Sequence, residues 1–240
     1  MHRIRMFMSL GAWALLAGSA MASSTGTMIS SGSTNVSLTS GTFADYVGSG
    51  YTVVDKYAIP ESNSLGLNTT LYVDAIRTAG GTYDFAYQIS DAVTGQTAPS
   101  KDSISTLSVG NYTGVNPVYG VALTDTTLPS GTNFQTPTST GVSVTAGRPA
   151  AGTPITFTFA TPIAPGATSE VILVQTTATN YDTGGGVTAG AVTAGNGSTV
   201  FANVPEVSAG AVPEPGSIVL GGLAMVIGAG AYHFRRMRGR

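Results

Sequence analysis

The stretch Thr82-Tyr83-Asp84-Phe85-Ala86-Tyr87-Gln88-Ile89-Ser90 is the clearest strand in the chain. Large apolar side chains occupy every second position, and small or polar residues separate them. Successive side chains of a strand point to opposite faces, so this period of two predicts a β-strand with one face on a hydrophobic core. The dipeptide Gly80-Gly81 just before it predicts a hairpin turn.

Other segments carry the same kind of pattern, and none of the chain between the two termini shows a sustained helical period. Phe157 and Phe159 alternate with threonines, which predicts a half-buried antiparallel strand, whereas Val171–Val174 is apolar on both faces and is expected in a central position. The predicted strands are Tyr51–Ile59 (ending at Pro60), Asn68–Ile76, Thr82–Ser90, Ser103–Val109, Val118–Leu123, Gly141–Ala146, Pro154–Ala160, Glu170–Thr179 and Thr199–Ala202.

Many short strands separated by Gly and Pro predict an all-β fold built as a β-sandwich, Ig-like or jelly-roll-like, with a barrel or a β-helix as alternatives. The Pro165-Gly166 turn before Val171–Val174 resembles the turn that precedes a late strand in bacterial Ig-like sandwiches. A proline that sets φ and a glycine that permits positive φ are the physical requirements of such a turn.

The C-terminal run Gly216–Phe234 contains no Asp, Glu, Lys or Arg. As a helix it would reach about 28 Å, close to the thickness of a bilayer core, so it is predicted to span a membrane. Arginines follow it and are expected to stay on the cytoplasmic side, which places the preceding chain outside. These topology residues are Arg235, Arg236, Arg238 and Arg240.

Pro213-Glu214-Pro215 stands directly before this predicted helix, and the arginine cluster stands directly after it. A Pro-Glu-Pro triplet, a short spanning helix and a terminal arginine cluster, in that order, resemble the PEP-CTERM sorting signal of bacterial exported proteins. The resemblance covers residues 212–240. It implies recognition of Pro213, Glu214 and Pro215 by an exosortase-type processing enzyme in a Gram-negative bacterium that makes extracellular polysaccharide. Removal of the helix stays open, and a plain membrane anchor is the alternative.

The N-terminus has the three parts of a secretory signal peptide: a basic start, the apolar run Met6–Ala17, and small residues at Ala20 and Ala22. Signal peptidase is therefore expected to cleave after Ala22 and leave Ser23 as the first residue. An uncleaved N-terminal anchor is the alternative. The chain thus divides into a signal peptide (1–22), a flexible Ser/Thr/Gly-rich arm with one edge strand near Val36–Leu38 (23–50), a sandwich body (51–202), a linker (203–211) and the sorting signal (212–240).

Charge is distributed unevenly between the body and the two ends. Four basic and eleven acidic residues lie between Ser23 and Ala211, which gives the body a net charge of −7, although the whole chain carries only −2. Nucleic-acid binding calls for a basic face, so this class of partner is not expected. The chain has no cysteine and therefore forms no disulfide. The Gly-rich stretch after Tyr181 is predicted to be a flexible loop.

The body lacks the side chains that most enzymes use for general acid–base chemistry. Both histidines, His2 and His233, lie in the targeting ends, so a Ser-His-Asp hydrolase and a zinc hydrolase are excluded. Two carboxylate arrangements remain. Asp182-Thr183-Gly184 matches the aspartic-protease tripeptide but occurs once and fits an Asp-initiated turn. Asp74 and Asp84 could be brought onto one face by the Gly80-Gly81 hairpin, as a glycoside hydrolase needs, or could be solvated strand acids.

Calcium and sugar are the two ligands that the composition leaves open. Loop aspartates suit a structural calcium ion, although no calcium-loop series occurs and no ligands can be named; no other cofactor is expected. A sugar- or partner-binding face could include the body's tyrosines, which at strand spacing are also typical core residues. These tyrosines are Tyr46, Tyr51, Tyr57, Tyr72, Tyr83, Tyr87, Tyr112, Tyr119 and Tyr181.

The body lies between two targeting sequences and lacks histidine and cysteine for catalysis. This combination predicts a non-enzymatic protein of the cell surface or extracellular matrix. Its expected role is structural or adhesive in a polysaccharide-rich envelope or biofilm, with signal peptidase and the processing enzyme as partners during export. A polysaccharide-binding module is the alternative, and a carboxylate-dependent glycoside hydrolase is a further one.

Overall fold

Two β-sheets pack face to face in the part of the chain that the structure describes. The computed structural model describes residues 24–62, 67–92, 103–110, 112, 115–125, 130–150, 154–182, 190–194, 199–202 and 206–207. The elements in chain order are β1 (Thr27–Met28), β2 (Val36–Ser37), β3 (Thr39–Gly41), α1 (Phe43–Val47), β4 (Thr52–Ser62), β5 (Asn68–Arg77), β6 (Tyr83–Asp91), β7 (Ile104–Val109), β8 (Val118–Leu123), β9 (Val144–Gly147), β10 (Ile155–Ile163), β11 (Val171–Thr176), β12 (Tyr181–Asp182), β13 (Gly190–Ala194), β14 (Thr199–Ala202) and β15 (Glu206–Val207).

The strand pairs are antiparallel apart from one short parallel contact. Sheet A has the order β1-β8-β11-β6-β5-β4, and β3 runs parallel to β8. Sheet B has the order β14-β13-β7-β10-β9-β2, and β12 pairs with β15 in a separate ribbon. These pairings confirm the predicted all-β class and its sandwich-like layering.

The core between the sheets is built from alternate residues of their strands. Phe85, Tyr87 and Ile89 of β6 pack with Phe157 of β10, and each is no more than 1% exposed. The intervening Thr158 of β10 is exposed. The alternating burial is therefore confirmed for β10, whereas in β6 the predicted core face is confirmed but the opposite face, with Ala86 and Gln88, is buried as well.

Sheet A also buries its outer face, so its central strands are buried on both sides. Val171 and Leu173 of β11 pack there with Phe43 of α1 and Phe134 of the segment 130–138. The strand β11 lies between β8 and β6, so the predicted central position of Val171–Val174 is confirmed. Sheet A is thus the middle layer, and α1 with segment 130–138 covers it.

The helix α1 is short and depends on its N-terminal cap. Asp45 N donates to Thr42 Oγ1 at 3.3 Å, and Thr42 N donates to Asp45 Oδ2 at 3.0 Å. This reciprocal capping box satisfies two backbone donors that would otherwise lack partners. The cap orients Phe43 and Val47 onto sheet A.

The predicted flexible arm at 23–50 is wrong for the residues described there, although its edge strand exists as β2. Ile29 is fully buried in the core between the sheets, and Gly26 N donates to Gln175 Oε1 at 2.8 Å. Composition suggested disorder because apolar residues are sparse, but Ile29 is buried in the core and Leu38 packs against it, although Met28 is exposed. Residues 24–50 therefore form part of the folded body.

Docking of this N-terminal segment can be tested at Gly26. A Cβ added there would lie 2.4 Å from Val121 Cγ2 and 2.7 Å from the Gly120 carbonyl oxygen. Because backbone cannot move aside cheaply, Gly26→Ala should lower the free energy of unfolding by about 1–3 kcal/mol. Urea denaturation followed by circular dichroism measures this loss. Gly80→Ala is the control, since its nearest neighbour would be Thr78 Oγ1 at 3.6 Å; equal stability of the two variants would contradict the docking.

Three further boundaries differ from the sequence prediction. The strand β4 continues through Pro60 to Ser62, which is possible because β4 is the last strand of sheet A and an edge position tolerates the missing N–H. Part of the predicted loop after Tyr181 forms β13, which pairs with β7 and β14. In the predicted linker, Glu206–Val207 pairs with β12.

Candidate functional site

A cleft of about 340 Å³ opens at one end of the outer face of sheet A, where α1 ends and β5 turns into β6. We call it the Asp84 cleft. Asp84 is its one charged lining residue, and Tyr119 is its one aromatic lining residue among those described. Seven serines and threonines form most of the rest: Ser24, Thr25, Ser49, Thr78, Thr82, Thr176 and Thr177.

The turn from β5 to β6 forms one rim of the cleft. Gly81 has a φ of 84°, which glycine adopts without strain, and Gly81 N donates to the Thr78 carbonyl at 3.0 Å. The hydroxyls of Thr78 and Thr82 lie 2.8 Å apart and hydrogen-bond to each other. The predicted Gly80-Gly81 hairpin is therefore confirmed, and it places Asp84 at the base of a rim that is hydrogen-bonded within itself.

Asp84 as a whole residue is only 3% exposed. Thr176 N donates to its Oδ1 at 3.0 Å, and no cation lines the cleft among the residues described. Burial raises the pKa of Asp84 to about 7, and the hydrogen bond from Thr176 opposes this shift. The cleft thus holds one carboxyl group that can accept hydrogen bonds and exchange a proton near neutral pH.

Gln175 builds the opposite wall by binding the N-terminal segment. Its Oε1 accepts from Gly26 N, and its Nε2 donates to the carbonyls of Ser24 at 3.1 Å and Tyr46 at 2.9 Å. These three contacts use both N–H donors of the amide and one acceptor position of its oxygen. The wall that carries Ser24 and Thr25 is therefore fixed to β11 without any ligand.

Several hydroxyls in the cleft keep their hydrogen-bonding capacity. Ser24, Thr25 and Ser49 are exposed, and within the described part of the chain their hydroxyls are not used in hydrogen bonds. Thr176 differs, since its hydroxyl donates to the Tyr83 carbonyl at 2.6 Å. Free hydroxyls can donate and accept, so the cleft suits a ligand that also carries hydroxyl groups.

Asp74 and Asp84 lie on the same face of adjacent strands, as the hairpin predicted. In the register of β5 and β6, Asp74 pairs with Ala86 and Ile76 pairs with Asp84, so the two acids are diagonal neighbours. Asp74 is fully buried and does not line the cleft; its Oδ2 accepts from Asn133 N at 3.4 Å. The pair is aligned, but segment 130–138 covers one member, so the arrangement brings one carboxylate rather than two to the cleft.

The tyrosines do not form an exposed row. Tyr87 and Tyr112 are buried, and their hydroxyls lie 2.7 Å apart. Tyr181 donates its hydroxyl to Asp55, and its ring packs 4.7 Å from the ring of Tyr83. All nine tyrosines are buried or half-buried. The core interpretation is therefore confirmed for eight of the nine, whereas Tyr119 belongs to neither core cluster and reaches the cleft.

The predicted targeting residues lie outside the residues that the structure describes. These are Ala20, Ala22 and Ser23 at the signal-peptidase site, Pro213, Glu214 and Pro215 of the triplet, the helix 216–234, and Arg235, Arg236, Arg238 and Arg240. Within the described ranges, no helix has the length and apolarity needed to cross a bilayer. The same ranges hold no group of three or more acidic or histidine side chains that could bind a metal ion.

Thr176 and Gln175 were not singled out from the sequence. Their roles depend on partners 92 and 149 residues away, and neither residue type carries a local signal for such contacts. Comparison with known proteins gave no match to a family model, to a curated protein or to a solved structure.

Proposed function

We propose that this chain is an exported protein of the cell surface or extracellular matrix, with a structural or adhesive role in a polysaccharide-rich envelope or biofilm. The observation that carries the proposal is the order of features in the sequence: a signal peptide at 1–22, an acidic body, and the triplet, apolar run and arginine cluster of 212–240. Signal peptidase and an exosortase-type enzyme of a Gram-negative host would process it. The body acts without catalysis or cofactor, and its sandwich is of the Ig-like or jelly-roll-like type.

The packing of the body supports this role. The N-terminal segment is already bound to the body at Ser24, whose N donates to the Asp45 carbonyl at 2.7 Å, so cleavage after Ala22 would leave the fold intact. The body depends on the core buried between its two sheets rather than on disulfides, which suits an exported chain without cysteine.

Deleting Pro213–Arg240 tests the sorting part of the proposal. We expect the shortened body to be released into the medium, with circular dichroism that still reports a β fold. Cell fractionation and the intact mass of the protein from its native host measure the outcome. For the unaltered chain we expect a mass that ends near Pro213–Pro215 and protein in the surface or matrix fraction.

A matched variant separates the triplet from the helix. Replacing Pro213, Glu214 and Pro215 together with alanine keeps the apolar run and the arginines. The chain should therefore remain in the inner membrane, and its mass should correspond to a protein that begins at Ser23 and still ends at Arg240. Surface delivery of this variant, or unchanged surface retention after the deletion, would overturn the sorting proposal.

Polysaccharide binding is the second candidate function, and a specific observation favours it. The Asp84 cleft combines a buried acceptor, exposed hydroxyls and one aromatic ring, which is the chemistry of a site for a polyhydroxylated ligand.

A further inference from the structure

We propose that the Asp84 cleft binds a single neutral sugar ring of an extracellular polysaccharide, with Asp84 accepting hydrogen bonds from neighbouring sugar hydroxyls. The inference deepens the second candidate function by naming its site, and it rests on that function for the ligand class. It does not depend on how the chain is sorted. Four features of the cleft carry it: size, the placement of the carboxyl group, the hydroxyl-rich walls and their rigidity.

Size sets the ligand class. A volume of about 340 Å³ lies near the lower end of ordinary ligand pockets, which span roughly 300–1,000 Å³. Such a space encloses one ring of a glycan and leaves the next rings in solvent. Because the cleft is open, a polysaccharide can place its terminal sugar or a side-branch sugar in the cleft, and the polysaccharide chain does not have to thread through it.

The carboxyl group supplies directional recognition. One oxygen of Asp84 is occupied by Thr176 N, which fixes the plane of the group. A carboxylate accepts several hydrogen bonds, so two adjacent hydroxyls of a sugar can both donate to it. A hydroxyl ligand also compensates for burial, since the buried carboxylate loses water on folding and gains donors on binding.

The walls provide the reciprocal groups. Ser24, Thr25 and Ser49 are exposed to the cleft with hydroxyls that can donate or accept as the ligand requires. Tyr119 is half-buried at the lining and offers a ring surface to the apolar face of a sugar. The Gln175 contacts hold the Ser24 side of the cleft in place, so little ordering is needed on binding.

Titration of the purified full-length chain in detergent micelles tests the inference. The probes are glucose, galactose, mannose, N-acetylglucosamine and glucosamine, followed by nuclear magnetic resonance of the backbone amides. We expect at least one of the four neutral sugars to bind with a dissociation constant on the order of 1 mM, because the site encloses one ring. The Thr176 amide, which donates to Asp84, should shift on binding.

At pH 8, where the carboxylate form of Asp84 predominates, Asp84→Asn should weaken binding by about 10-fold or more, since it removes an ionised acceptor but keeps the oxygen that Thr176 binds. Asp74→Asn is the matched control: Asp74 is also a buried acid on the same face but does not line the cleft, so this variant should bind like the original chain. Ser49→Phe fills the cleft from an exposed position and should abolish binding with the fold unchanged.

Three outcomes would overturn the inference. The first is that none of the four neutral sugars binds. The second is that a sugar binds but its affinity is unchanged in both Asp84→Asn and Ser49→Phe. The third is that glucosamine alone binds and added salt weakens its binding, which would assign the cleft to an ammonium ligand. The sugar titration uses purified protein, so a negative result would not bear on the sorting proposal. Conversely, an unexpected location of the protein after deletion of Pro213–Arg240 would not bear on sugar binding by the cleft.

Discussion

Replacing Arg148 with methionine should lower the free energy of unfolding by about 3–5 kcal/mol, because each buried acceptor that loses its donor costs about 1–3 kcal/mol. The side chain is 1% exposed, although it follows the short strand β9, which lies next to the edge strand β2 of sheet B. Its guanidinium donates to the carbonyls of Tyr112 at 2.5 Å and Val115 at 3.0 Å, and to Asn116 Oδ1 at 3.0 Å. Methionine fills similar space but donates to none of them.

The contacts of Arg148 explain why the loss should spread beyond one side chain. Tyr112 contributes a buried ring to the core and pairs its hydroxyl with Tyr87 of β6. Arg148 therefore secures the chain between β7 and β8 to sheet B, and this chain closes one part of the core. Without the guanidinium, Tyr112 loses the contact that holds its backbone in place.

Urea denaturation monitored by circular dichroism measures the effect, with two comparison variants. Arg77→Met removes an exposed arginine at the end of β5 and should change stability by no more than about 0.5 kcal/mol. Arg148→Lys keeps a cation but not the planar fork, so it should recover only part of the loss. A change below about 1 kcal/mol for Arg148→Met would show that the acceptors find other donors.

The strands of the body were predictable because their signal is local. In β6 and β10, alternation within nine residues is enough to decide which side chains face the core, and the structure buries Phe85 and Phe157 accordingly. The same is true of the hairpin at Gly80-Gly81. Local patterns of this kind do not depend on which strand becomes the neighbour.

The N-terminal segment and the cleft could not be predicted in the same way. Ile29 is one apolar residue in a polar stretch, and its burial follows from pairing between β1 and β8, which lie about 90 residues apart in sequence. Arg148 stands between Gly147 and Pro149, a pattern typical of an exposed turn, and its acceptors lie 32 to 36 residues away. Asp74 and Asp84 were both candidates from the sequence. Only Asp84 lines the cleft, because segment 130–138 covers Asp74.

The free energy of unfolding should fall as the pH rises from about 4 to about 8, in contrast to a protein held by salt-bridged carboxylates. Burial raises the pKa of both Asp74 and Asp84 from the usual 3.8 to about 7. Between these two values the folded state binds more protons than the unfolded state. The contribution of each aspartate to stability is therefore complete below the unfolded pKa and is lost as the pH passes through the folded pKa, at about 1.4 kcal/mol for each unit by which burial raises the pKa.

Asp74 should contribute to the decrease in the free energy of unfolding with pH because of the environment of its Oδ1 atom. Its Oδ1 is buried without a hydrogen-bond partner among the described residues, and the same is true of Asn133 Oδ1 nearby in segment 130–138. A proton on the carboxyl adds a donor where acceptors are in excess, so the neutral form is favoured. Lys56 faces Asp74 across β4 and β5 and lowers its pKa, but the effect of burial is larger.

Thermal or urea unfolding between pH 4 and 8 measures the slope, and amide variants assign it. Asp74→Asn and Asp84→Asn should each flatten the curve, and the double variant should flatten it most, because an amide cannot ionise. Asp45→Asn is the control: its exposed carboxylate has a lowered pKa from the Thr42 hydrogen bonds, so its contribution is lost only as the pH falls. Glu170, whose pKa burial also raises, should leave a residual slope of the same sign in the double variant. A flat or rising profile from pH 4 to 8 in the unaltered chain would show that both buried aspartates are ionised in the folded state.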